Sequence, residues 1–255
     1  VIIASWNVNS IKVRLPILQD WLKTVQPDVV LLQEIKCETD VFPLMEIQSM
    51  GYQACVSGQK TYNGVAVLTK EKAEMRTAQL PGNADDPQAR YLEVSYKGWV
   101  IASIYLPNGN PMGTDKFTYK LNWLQRLNAH AQNLLKEEKP VVLGGDYNVI
   151  PAALDAQHPE KWVGDALYQP ESRGAWQSLQ HKGYYDAFRT LHPGEPVFTF
   201  WDYQNSAWLR DDGIRIDHLL CSPEATDRLQ KSWVDKNPRS MEKASDHTPI
   251  LAHFS

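Results

Sequence analysis

Short apolar runs that end in polar residues constrain this chain most. VVLLQE (29–34) carries four aliphatic residues into Gln33 and Glu34, and PVVLGGDYN (140–148) carries three into a glycine pair, Asp146 and Asn148. VIIASWN (1–7) has a similar form and ends in Asn7. A run this short and this apolar reads as a strand buried on both faces, so layers must cover its sheet on either side.

The rest of the chain alternates in the same way. Residues 13–25 carry Leu15, Leu18, Trp21, Leu22 and Val25 at helical spacing, and Pro27-Asp28 ends that helix. YQACVSG, GVAVLTK, RYLEVSY and WVIASIYLP then follow at the spacing of antiparallel strands. The pattern predicts a long helix over 115–138 and a second at WQSLQHKG, then strands at VFTFWDY, GIRIDHLLCS and HTPILAHF. Residues 51–106 carry almost no helical pattern, which disfavours a plain doubly wound parallel sheet. The expectation is a four-layered α/β sandwich, two mixed sheets face to face under helices. No linker separates the halves, so residues 1–255 read as a single domain.

Composition excludes several classes. No apolar run is long enough to cross a membrane. Cys37, Cys55 and Cys221 lie far apart without a CxxC, which argues against a disulfide framework or a structural zinc site and suits a reducing, cytoplasmic setting. With 26 basic and 30 acidic residues the net charge is -4, so a nucleic-acid partner would have to be drawn by a local basic surface.

The informative feature is where the polar residues fall. Asn7, Glu34, Tyr105, Asp146, Asn148 and Asp217 sit at or near strand ends, and Asp246-His247 precedes the last strand. One carboxylate there is usually a turn or cap residue. Gathered on one rim, several would repel unless a cation neutralised them. Oxygen donors without sulfur favour Mg²⁺ or Mn²⁺ over zinc. His247 adds a group that titrates near neutrality, and a carboxylate such as Asp217 can hold its ring in one tautomer. If the backbone stays extended, Asp146 and Asn148 point to the same side. Gly144-Gly145 would then let the backbone come close to a ligand.

WNVNS (6–10), LLQEIK (31–36), NGVAVLTK (63–70), IYLPNG (104–109), GGDYNV (144–149), GIRIDHLL (213–220) and SDHTP (245–249) resemble, in order, the motif set of the exonuclease III family of abasic-site endonucleases, in the endonuclease/exonuclease/phosphatase superfamily. PESRGAW, YYDAFRTLHP and FTFWDY resemble that branch more than the sphingomyelinases and inositol-phosphate phosphatases of the superfamily. The resemblance implies a deoxyribonuclease I-like fold and a Mg²⁺-dependent phosphodiesterase, with Mn²⁺ as an alternative ion. It would cut double-stranded DNA on the 5′ side of abasic sites, leave a 3′-hydroxyl, and trim blocked 3′ ends. The implied protein is a monomer with no membrane partner. Rival readings are a 3′-end-specific exonuclease or phosphatase, a lipid or inositol phosphatase, and a DNA-binding module without turnover.

The same resemblance assigns roles. Glu34 is implied as principal metal ligand, with Asn7 and Asp246 beside it. Asp146 is implied as the base or water-orienting group, Asn148 as the neighbouring amide, His247 as the phosphate contact and Asp217 as its orienter. Tyr105 would serve the phosphate or the leaving group, and Asn108 a phosphate. Lys36, Lys116, Arg90 and Arg173 are candidates for backbone phosphates. Substrate choice is expected in loop 201–213, where Phe200 and Ile214 would line an apolar pocket with Trp201 packing nearby. Trp208 is read either as a duplex wedge or as a loop anchor. Asn9 stands where some relatives carry Asp. His218 is read as structural.

Overall fold

The computed structural model describes residues 1–255. The chain runs through β1 (Ile2–Asn7), α1 (Ile11–Val25), β2 (Val29–Gln33), α2 (Leu44–Ser49), β3 (Gln53–Ser57), β4 (Val65–Thr69), β5 (Glu74–Thr77), β6 (Tyr91–Tyr96) and β7 (Trp99–Tyr105). It continues through α3 (Asp115–Leu135), β8 (Val141–Asp146), α4 (Pro170–Lys182), β9 (Tyr185–Asp186), α5 (Ala187–Leu191), β10 (Asp217–Cys221), α6 (Pro223–Thr226), β11 (Leu229–Val234) and β12 (Ile250–Phe254). Two six-stranded mixed sheets result, ordered β11-β12-β1-β2-β4-β3 and β5-β6-β7-β8-β10-β9. Only β1–β2 and β7–β8 pair in parallel, and each of these pairs is joined by a helical crossover, α1 or α3.

The apolar runs explain the layering. Along β2, Val29 and Leu31 face the cluster between the sheets, while Val30 and Leu32 face the cluster that holds Leu18, Trp21 and Leu22 of α1. Along β8, Val142 faces inward, and Val141 and Leu143 face Trp123, Leu124 and Leu127 of α3. Each of these strand residues is fully buried, and a fully buried Val or Leu contributes about 1.5–3 kcal/mol relative to exposure. The order is therefore helix, sheet, sheet, helix, as the sequence implied. No helix is long and apolar enough to cross a membrane.

Four segments differ from expectation. VFTFWDY is not a strand: only Phe200 forms bridges, to Ile214 and to His247, so the segment crosses the strand ends as a loop wall. The edge strands β5 and β11 carry exposed polar residues, Glu74, Arg76, Gln230 and Lys231, that mask the period of two. The Gly pair does not open a path for a ligand. A Cβ on Gly144 would lie 2.6 Å from Leu31 and Leu219 side-chain atoms, and one on Gly145 would lie 1.9 Å from the Ile104 carbonyl oxygen. Both glycines instead let β8 pack inside the sandwich.

Candidate active site

Strand register sets the site. Tyr105 at the end of β7 pairs with Asp146 at the end of β8, which pairs with Asp217 at the start of β10. In the facing sheet, Asn7 ends β1 opposite Gln33 of β2. The chain then leaves these strands through left-handed residues: Asn9 (φ 44°) and Ser10 (φ 85°) after β1, Glu34 (φ 49°) after β2, and Asn148 (φ 46°) after β8. A glutamate held there costs of order 1 kcal/mol and persists only where its surroundings fix it.

The two sheets meet at Asp146. Asn7 Nδ2 donates to Asp146 Oδ2 at 2.9 Å. His247 Nε2 lies 3.5 Å from that same oxygen, and its Nδ1 donates to Asp217 Oδ2 at 2.8 Å. Burial works against the imidazolium, but Asp217 and Asp146 outweigh it and hold His247 up at about 10. Asp146 is pushed above the usual carboxylate range by burial, with Asp217 and Glu34 adding to the push and His247 and Asn7 opposing it. The ring is therefore a cation between two buried acids. One oxygen, Asp217 Oδ1, is left buried without a partner.

Asp146 and Asn148 converge, though not as an extended strand would have them. The left-handed turn at Asn148 brings its backbone N–H to Asp146 Oδ1 at 3.0 Å, while its Nδ2 donates to Leu106 O at 2.8 Å. Asn108 Nδ2 reaches Asn148 Oδ1 at 3.4 Å, so the PNG and GDYN turns touch. Tyr105 donates its hydroxyl to Glu34 Oε1 at 2.7 Å, and burial beside that carboxylate keeps the phenol well above its ordinary value.

Asp146, Asp217 and His247 form the tightest acid and histidine group, with ligand atoms within 4.8 Å of one another. Both ring nitrogens there already face carboxylates, so the imidazolium stands where a cation would. Glu34 and Asp246 lie outside that group. Asp246 is pushed up by burial, opposed by His247 and raised further by Glu34. An acid raised by burial and by a neighbouring acid, with only oxygen donors, suits a hard divalent ion.

Other predicted residues have local tasks. Arg90 stacks on Tyr105 at 4.8 Å and donates to its carbonyl at 3.1 Å. Arg173 lies over Tyr168 at 4.5 Å, and Lys116 is exposed on α3. Lys36 Nζ donates to Asn9 Oδ1 at 2.6 Å, an ammonium beside an amide where an acid would add charge. Arg14 ties the same loop to loop 201–213: it donates to Asn9 O at 2.7 Å and to the Tyr203 hydroxyl at 2.9 Å.

Phe200 lies edge-on to His247, with ring centroids 5.1 Å apart. Ile214 is 1% exposed and packs beneath Phe200 with Ile150, Ala156, Leu167 and Ile216. The open cavity beside Phe200, about 600 Å³, is lined largely by polar and charged groups including Lys161, Asp165, Arg210 and Asp212. Ile214 does not line this cavity; it packs into the core below, across the backbone bridge to Phe200. Trp201 is fully buried, its Nε1 donating to Asp211 at 2.9 Å. Trp208 packs edge-on against Trp201 at 4.8 Å, the packing of a loop anchor. Its neighbour Leu209 is 84% exposed. His218 points away from the cleft, bonded to Val149 O at 3.0 Å, and burial and Arg215 keep it far below the usual imidazole range.

Ser245 was also missed. Its hydroxyl donates to Asn7 O at 2.7 Å and accepts from the His247 backbone N–H at 3.2 Å, tying the SDH segment to β1. A small polar residue beside Asp-His was its only signal. Thr199 Oγ1 accepts from the N–H groups of Ile216 and Asp217, both at 3.1 Å.

The profile of the Endonuclease/Exonuclease/phosphatase family matches residues 4–247. Exodeoxyribonuclease III of Haemophilus influenzae is 31% identical over 98% of this chain and 98% of its own length. An AP endonuclease from Archaeoglobus fulgidus superposes with a TM-score of 0.96 at 34% identity, covering 100% of this chain and 99% of that one. A 3′ phosphatase from Neisseria bound to a product DNA hairpin superposes with a TM-score of 0.95 at 36% identity, over 100% of this chain and 99% of its own.

Proposed function

This chain belongs to the endonuclease/exonuclease/phosphatase family, and we propose that it is a DNA repair nuclease hydrolysing the phosphodiester 5′ to abasic sites. One observation carries the reading. A buried imidazolium, two carboxylates and an amide drawn from both sheets converge at Asp146, with the Glu34–Tyr105 pair at neighbouring strand ends. Such a set can orient a water, hold a phosphate and support a leaving oxygen in one place.

The roles follow from hydrogen-bonding capacity. Asp146 takes the proton of the attacking water, and Asn7 fixes the acceptor oxygen for that task. The imidazolium of His247 faces the scissile phosphate, its ring set by Asp217. Asn148 and Asn108 offer amide donors to phosphoryl oxygens. Tyr105 gives its one proton to Glu34 and so orients that carboxylate beside the leaving group, whose 3′ oxygen takes its proton from water. The phosphorus–oxygen bond on the 5′ side of the lesion breaks, leaving a 3′-hydroxyl and a 5′-phosphate. Glu34, Asp246 and Asn7 would hold Mg²⁺, which when bound supplies positive charge to the phosphoryl and leaving oxygens.

A second reading is 3′-end cleaning with little abasic incision. The cavity beside Phe200 favours it, because its lining is mostly polar or charged, with only Trp162, Phe200 and Ala207 apolar. One experiment tests both. A duplex with a single tetrahydrofuran site and a primer ending in 3′-phosphate are incubated side by side with Mg²⁺, with and without EDTA. Faster incision of the abasic duplex, abolished by EDTA, is expected. Release of phosphate from the primer without incision would favour the second reading. No turnover of either, or turnover unaffected by EDTA, would reject both.

A further inference from the structure

Lys120 sits on the apolar stripe of α3, one turn before Trp123 and Leu124, and its side chain is fully buried. No carboxylate pairs with it; burial pulls its pKa down to about 7, opposed only at longer range by Asp146 and Asp165. Its ammonium instead donates to three backbone carbonyls: Asn148 O at 2.5 Å, Asn108 O at 3.0 Å and Ala166 O at 3.3 Å. An ammonium carries three donors, so these three bonds use its full capacity. Two of the carbonyls belong to residues of the proposed phosphate-binding turns, and the third begins the segment under the substrate loop. The PNG turn is shaped around the lysine stem. A Cβ on Gly109 (φ 88°) would lie 2.7 Å from Lys120 Cδ.

We propose that Lys120 is a positioning residue, whose ammonium gathers three active-site loops and sets the Asn108 and Asn148 amides against the scissile phosphate. Three carbonyl oxygens aimed at one buried point cannot reach water, so they need donors there and favour the protonated amine against the cost of its burial. The Asn108–Asn148 contact is long, at 3.4 Å, and does not fix the two turns by itself. Lys120 touches no substrate. It acts through the loops, and the inference rests on the phosphodiesterase reading above.

The test compares Lys120→Met and Lys120→Gln with wild type, and with Leu134→Ala at the far end of α3 as a stability control. Turnover of the abasic duplex is measured per folded molecule, beside its affinity in EDTA. The Met variant should lose kcat by about 10- to 100-fold, the scale of a displaced catalytic amide, with affinity changed by less than about threefold. The Gln variant, which retains two donors, should fall between, and it carries the comparison alone if the Met variant does not fold. Leu134→Ala should keep its kcat. Amide hydrogen exchange supplies a readout that needs no substrate: protection should drop at residues 106–110, 147–150 and 166–168 together. Wild-type kcat per folded molecule in both variants, or exchange unchanged at those three segments, would overturn the proposal. An inactive wild type with the exchange change present would sink the nuclease reading and leave the loop tie standing.

Discussion

His247 Nδ1 donates to Asp217 Oδ2 across 2.8 Å, and both side chains are buried. This bond fixes the ring's face and leaves Nε2 turned to the Asp146 side of the cleft. Asp217→Asn keeps the size and removes the charge. The amide can still accept at one oxygen, yet it no longer holds a cation against the cost of burial. Turnover should fall by about 100-fold, while affinity for an abasic duplex in EDTA changes far less. Equal losses in turnover and affinity would mean that the pair serves binding or folding instead.

Metal dependence should separate the acids into two groups. Glu34→Gln and Asp246→Asn remove charge from the proposed ion site, so their Mg²⁺ activation curves should shift to higher concentration by about tenfold or more. Asp146→Asn should lower the plateau with little movement of the midpoint. Titrating activity against Mg²⁺ for the three variants checks this. A shift for Asp146→Asn larger than for Glu34→Gln would move the ion to the Asp146, Asp217 and His247 group.

Much of this site was legible because buried strands have a strong signal. Val29–Leu32 and Val141–Leu143 are apolar on both faces, so their polar termini stood out. Convergence followed from topology, since β7, β8 and β10 bring Tyr105, Asp146 and Asp217 into one row. What the sequence concealed lies in backbone geometry. Asp146 and Asn148 meet through a left-handed turn, which residue spacing does not encode. The Gly pair looked like a ligand approach and is a packing device. Lys120 did leave a trace, as a lone cation on the stripe of Trp123, Leu124 and Leu127, but only the loops that fold over it show what it binds.

Phe200 joins its loop to the His247 ring through an edge-on contact. Phe200→Ala removes that contact and opens space above Ile214 and Ile216. Incision at the abasic site should fall by about tenfold, from a looser His247 together with the lost support for the extruded sugar. Removal of a terminal 3′-phosphate should fall less, because no extruded sugar has to rest against the ring. Comparing kcat/KM on the two substrates tests this, and equal losses on both would assign Phe200 to the chemistry alone.

Glu93 sets an acid limit on stability, far from the cleft. It is 2% exposed, and its carboxylate accepts from Tyr91 at 2.6 Å, from His130 at 2.6 Å and from Arg76 at 2.7 Å. Burial raises its pKa, but His130, Tyr91 and Arg76 together outweigh that and hold the group below its ordinary 4.5. A folded-state pKa below the unfolded one means that the unfolded chain binds the proton first. The stabilisation is therefore complete above the ordinary value and is lost as pH falls through the depressed one. Urea midpoints from pH 7 down to about 3 should drop steeply below about 4.5 in wild type. Glu93→Gln should start from a lower midpoint at pH 7 and show a shallower acid decline, because it has no proton to gain. Parallel curves for the two proteins would mean that other carboxylates set the acid limit.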